Sequence, residues 1–157
     1  MTAAAMPPNV RKLALIAHVA VSVGFSGAVA AFLALALAGL RDGSLYGAAN
    51  LVVCAVIVPA GFAALVSGVV SSLGTPWGLV RYYWVVAKLV LTVVVLIVLL
   101  LQLPTIAMLA DLSARGAVAG SAFSEARMAL VIHASGGLAA LILPLILSIY
   151  KPEGRLT

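Results

Sequence analysis

The chain has 157 residues, enough for one domain, and 65% of them are hydrophobic while 8% are charged; soluble domains run about 25% charged. That much apolar side chain cannot be hidden in a soluble fold of this size, so a soluble globular enzyme and a disordered chain are both excluded. The single Cys54 excludes an internal disulfide scaffold. A net charge of +5 would raise nucleic acid as a partner in a soluble protein. Here the basic residues stand at the ends of apolar runs, which points to lipid headgroups and topology instead, with no nucleic-acid role.

A hydrocarbon layer about 30 Å thick needs roughly 20 apolar residues in a helix. Four runs meet that length, and the sequence predicts an all-α, integral membrane four-helix bundle with helices over about 13–40, 46–70, 76–103 and 126–150. The first run, bounded by Arg11-Lys12 and Arg41-Asp42, is too long for a signal segment. Arg41-Asp42-Gly43-Ser44 reads as a tight turn before the second. Thr75-Pro76 has the form of a cap and first helical residue for the third, whose start carries Trp77, Tyr82, Tyr83 and Trp84 as an interfacial aromatic belt. Pro104 is expected to end or kink that helix, leaving 104–125 as the one substantial loop. Ser124 and Glu125 suit the start of the fourth helix. Alanine, glycine and serine recur at helical spacing: Ala20, Gly24 and Ala28; Ala64 and Gly68; Ser135, Gly136 and Gly137. They predict close helix approach, with Ala20-Gly24-Ala28 as the contact edge of the first helix. Arg11, Lys12, Arg81, Lys151 and Arg155 lie on one side, against Arg41, Arg115 and Arg127 on the other. This bias predicts both termini in the cytoplasm and a place in the bacterial inner membrane.

Ionisable residues inside a span are costly and mark candidate sites. There are three: His18, Lys88 and His133. At 1.5 Å per residue, His18 lies about 9 Å past Lys12 and Lys88 about 6–9 Å past the aromatic belt, so the two share a layer; His133 falls about 15–20 Å away. A bis-histidine haem using His18 and His133 of one chain is therefore not expected. Ser22 and Phe25 share the His18 face, and Arg81, Trp84, Lys88 and Thr92 form a stripe on the third helix. Facing one another, these two surfaces would make a cationic, aromatic-walled pocket suited to porphyrins, quinones or lipids. Each residue also has a structural reading: Lys88 extending along its apolar stem to the headgroups, and each histidine bonded to a neighbouring carbonyl or serine.

The segment His18-Val-Ala-Val-Ser-Val-Gly-Phe25-Ser-Gly27 resembles the first helix of copper-resistance-D-like membrane proteins and of the HemJ-type protoporphyrinogen oxidases. Tyr83-Trp84-Val-Val-Ala-Lys88-Leu89-Val-Leu91 is similar to the lysine-bearing helix of the same families. The resemblance implies that His18 and Lys88 are functional and that His18 is linked to haem b. Phe25 stands where those families carry tryptophan. The stretch from Gly74 to Lys88 also resembles a set of uncharacterised four-helix membrane proteins from actinobacteria.

Met1, Met6, Met108, Met128 and Cys54 are scattered and form no soft-ligand cluster for Cu(I). No phosphate loop, Cys-x-x-Cys or His-Glu-x-x-His motif is present. All four acidic residues lie in loops or tails, which argues against an ion-driven pump. The leading expectation is thus a small membrane protein with a cytoplasmic-side pocket for haem, porphyrin or a related redox amphiphile. His18, Lys88, Arg81, Trp84 and Phe25 would bind the cofactor, with His18 as metal ligand. Two alternatives stay open: a non-enzymatic membrane subunit or assembly partner, and a dimeric small-molecule or metal transporter. Expected partners are membrane lipids, a second copy or another membrane protein. The enzyme question stays open with them.

Overall fold

Each apolar run forms a helix because lipid offers the backbone no hydrogen-bond partner other than itself. The computed structural model describes residues 6–74, 79, 81–117 and 123–150. Its first helix, α1, is Pro8–Gly39. A short 3-10 turn, Gly43–Leu45, leads into α2, Tyr46–Val52. A π-helical turn, Val53–Ile57, joins α2 to α3, Val58–Leu73, so the second span runs unbroken. The third span is α4, Tyr83–Ala114, and the fourth is α5, Ser124–Tyr150. Among the described residues four helices are long and apolar enough to cross a membrane, and the chain is a multi-pass, all-α bundle. Leu13, Leu51 and Leu101, each about two-thirds exposed, face outward at a cost that water would impose and lipid does not.

The helices stand at the corners of a square. α1 packs on the second span and on α5, and α4 packs on the same two neighbours. No contact joins α1 to α4 among the described residues, so these two lie on a diagonal. Between the corners, Phe25, Val29, Phe32, Ile57, Val95 and Leu130 fill the core.

Three expectations about the helices change. The third span does not stop at Pro104: it continues to Ala114, and the predicted loop 104–125 shrinks to the residues after it. Proline removes one backbone bond, and a long helix packed on both sides tolerates that loss. The second span handles Pro59 differently. In the π turn just before it, the Val58 N–H bonds the carbonyl of Val53, widening the helix where proline breaks the regular ladder. The helix starts move too. Pro8 at the first helical position lets α1 begin five residues before its apolar run, while α4 begins only at Tyr83, after an extended Tyr82. Thr75, Pro76, Trp77, Lys151 and Arg155 lie outside the described residues.

The glycine seam is also relocated. Ala20 and Gly24 are exposed, and a Cβ on Gly24 would meet nothing within 4 Å. Close approach falls to the second span. A Cβ on Gly61 would come 2.6 Å from Leu96 Cδ2 and 3.2 Å from Phe25, so this glycine lets α1, α3 and α4 converge. Gly39 does the same for the ring of Tyr46, 2.9 Å from a built Cβ.

At that end of the bundle Arg127 of α5 closes α1. Its Nη2 donates to the Gly39 carbonyl at 2.8 Å and to the Leu40 carbonyl, and its Nε donates to the Tyr46 hydroxyl at 3.2 Å. The guanidinium also lies over the Tyr46 ring, 5.9 Å from the centroid. A cation here satisfies carbonyls that the helix end leaves unpaired and matches the negative end of its dipole. The adjoining turn is tied by Asp42, whose Oδ1 accepts from the Ser44 N–H at 3.0 Å. Hydrogen bonds from Ser44, side chain and backbone, hold this carboxyl below its ordinary value of 3.8. The contribution to the turn is therefore present above that value and is lost as pH falls through the lower folded one.

Unfolding in detergent checks both features. Gly61→Leu should lower stability by about 1–3 kcal/mol through overpacking, while Gly24→Leu should be neutral. Arg127→Leu should cost about 1.5–3 kcal/mol, the range for hydrogen bonds to a charged group, and Tyr46→Phe about 1 kcal/mol.

Candidate functional site

The face of α3 carrying Ala64, Ser67 and Gly68 receives His18. Ala64 is buried, and Gly68 has no side chain to hold the imidazole away: a Cβ there would sit 3.0 Å from His18 Cε1. His18 Nδ1 is 3.0 Å from Ser67 Oγ and 3.5 Å from Ser22 Oγ. Ser67 Oγ donates its one proton to the Ala64 carbonyl at 3.2 Å. With that proton committed, the Nδ1–H tautomer of the neutral ring would donate to Ser67 and leave Nε2 its lone pair. One turn nearer the helix starts, Ser71 Oγ donates to the Ala14 carbonyl at 3.4 Å. Serines of the second span thus hold α1 at the histidine and one turn before it.

Lys88 arrives from the other corner of the diagonal. Its Nζ sits 4.5 Å from the centre of the buried Trp84 ring, one turn back along α4. That attraction, between an ammonium and a ring face, favours the side chain lying along its own helix toward the membrane edge. Tyr82 adds a tilted ring at 6.1 Å from Trp84. Thr92 Oγ1 donates back to the Lys88 carbonyl at 2.9 Å. The Lys88 charge remains within electrostatic range of His18. His18, Lys88 and Trp84 therefore share one end of the bundle; the side chain that His18 touches is Ser67 of α3, and α1 and α4, on the diagonal, are not packed neighbours.

Two expected members fall elsewhere. Arg81 precedes the extended Tyr82 and is exposed, so it is not on the helical stripe, which begins at Trp84. Phe25 is 1% exposed and packs on Gly61 in the core. It shares the His18 face, but seven residues set it about 10 Å deeper.

His133 lines a different space. An apolar cavity of about 200 Å³ lies between the spans, lined by Phe25, Phe32, Ile57 and Val98, with His133 and Gln102 also among its lining residues. The α1 residues in its wall, Phe25 to Phe32, are seven to fourteen positions past His18, about 10–20 Å along the axis. The two histidines of one chain do not approach a common iron. Among the described residues no three His, Cys, Asp or Glu side chains cluster as metal ligands.

Sequence reasoning missed Ser67 and Gln102, and named Gly68 for close helix approach without its partner His18. Each is a small or polar residue inside an apolar run, which is the available signal. Only the packing shows that Ser67 and Gly68 form the seat of a histidine from another helix.

The tautomer is measurable. In ¹⁵N-histidine NMR of the reconstituted protein, neutral His18 should carry its proton on Nδ1. Ser67→Ala should remove that preference and populate both tautomers. A proton found on Nε2 in the unaltered protein would reject the assignment.

Comparison with known proteins adds no relative: no family model matches the chain, and no curated protein or solved structure matches it.

Proposed function

We propose that the chain is a bacterial cytoplasmic-membrane protein, both termini cytoplasmic, that binds a flat amphiphile with an anionic edge, of the tetrapyrrole class, at the His18–Lys88 end. The observation that carries this reading is the pre-set imidazole. Nδ1 lies 3.0 Å from Ser67 Oγ, an arrangement whose Nδ1–H tautomer would leave Nε2 as an electron-pair donor, and a lysine charge stands within range, all inside membrane spans.

These residues fit haem through one protein ligand. His18 would supply Nε2, held in orientation by its serine as metal-bound histidines are. Lys88, with Arg81 at the membrane edge, would pair with the carboxylates. A haem held this way supplies one-electron chemistry. The protein's own share is to orient the imidazole, neutralise the anionic edge and keep water out.

The test is the absorption spectrum of detergent-purified protein from a haem-replete host. A Soret band is expected, lost or shifted in His18→Ala. Lys88→Met should weaken binding by roughly 10- to 100-fold, the worth of one charge-assisted hydrogen bond. Absence of the band, or a band indifferent to His18→Ala, rejects haem. The orientation is read separately, from reporter fusions at positions 43 and 115, which should report outside.

A further inference from the structure

The outward side of the second span carries a carboxamide. Gly47, Asn50, Leu51 and Cys54 stand at i, i+3, i+4 and i+7, so they share one face of the helix. Gly47, Leu51 and Cys54 are exposed, and Asn50 is half-buried beside them. The span Gly43–Leu73 has Val58 at its midpoint. At 1.5 Å per residue Asn50 lies about 12 Å and Cys54 about 6 Å from that midpoint, inside a hydrocarbon half-layer of about 15 Å. The Cys54 thiol donates to Asn50 Oδ1 at 3.7 Å on the exposed surface. Nothing among the described residues accepts from the Asn50 amide N–H.

We propose that this face is the contact between two copies of the chain, joined by reciprocal hydrogen bonds between their Asn50 carboxamides. An amide N–H turned toward hydrocarbon is costly while unpaired, and asparagine is among the residues that hydrogen-bond across membrane helices. Three features select a second copy as the occupant. A carboxamide carries donor and acceptor and so complements itself, and Oδ1 keeps a second lone pair after the thiol is met. Two copies inserted the same way round hold Asn50 at one depth, and a twofold axis along the membrane normal brings equivalent residues together. The face carries no charge, so nothing on it calls for a partner of opposite sign or repels an identical one. Gly47 presents no side chain, and a Cβ there would meet nothing within 4 Å of its own chain. The two backbones can therefore approach until the carboxamides meet, with the two Cys54 thiols facing each other one turn deeper.

The test follows association of the full chain in bilayers. Protein labelled at its amino terminus with donor or acceptor dye is reconstituted together and diluted with lipid, while energy transfer is recorded. A dimer that dissociates on dilution is expected. Asn50→Leu should weaken it roughly 3- to 30-fold, the worth of an interhelical hydrogen bond in lipid, and Asn50→Gln should restore most of the affinity. Gly47→Leu should weaken it by about 5-fold or more through overpacking between copies, with its thermal unfolding unchanged because no atom of its own chain is displaced. Oxidation with copper phenanthroline should link two copies through Cys54, and should not do so through Gly24→Cys in a Cys54→Ala background. Energy transfer no greater than random mixing would overturn the proposal, as would a dimer indifferent to Asn50→Leu, or linkage through position 24 in place of 54. His18→Ala should leave the dimer unchanged, which separates this surface from the tetrapyrrole reading.

Discussion

Hydrocarbon has no water to lend, so every polar group inside this bundle must find its partner in the protein or in a ligand. That constraint organises the structure more than any apolar contact does, because lipid tails compete with every leucine on equal terms. The carbonyls at the end of α1 are met by Arg127 from the far end of the sequence. The π turn before Pro59 keeps the backbone bonded where a regular helix would break. Ser67 and Ser71 cross from α3 to α1, one to the His18 ring and one to a carbonyl. These polar contacts choose which helices touch and in what register, while the apolar side chains fill the space left over.

The glycines act together with that polar scaffold. Gly39 admits the Tyr46 ring beneath Arg127, and Gly61 admits Phe25 and Leu96 at the centre. Gly68 brings the α3 backbone against His18. Each removes a Cβ at a point where two or three helices converge, and each lies on the second span or faces it. Like α5, the second span touches α1 on one side and α4 on the other. Its composition, short of bulky residues at these points, is the reason it can do so.

α1 and α4 stand on a diagonal and are not packed neighbours, and the histidines and lysine inside the spans fall in two places. One is centred on His18, Ser67 and Lys88 near the ends where α1 and α4 begin. The other is the cavity lining, which includes His133 of α5 and Gln102 of α4. Charge lies beside the first and is absent from the wall of the second.

Composition and run length determined the helix count, the all-α class and the membrane environment, because burying apolar residues in lipid depends on their number and continuity alone. The layer shared by His18 and Lys88, and the distance of His133 from it, were also legible, since rise per residue is constant in any helix. Other features depended on which helix stands beside which. Gly24 looked like a packing edge and faces outward; Gly61, outside the small-residue spacings, brings three spans together. Pro104 looked like a terminator and lies inside a helix that its neighbours support on both sides. Arg127 and Tyr46 are 81 positions apart, as His18 and Ser67 are 49 apart, and no local periodicity links such pairs. Tertiary structure alone decided them, because a helix presents several faces of similar polarity to lipid, and only the arrangement of all four selects the face that turns inward.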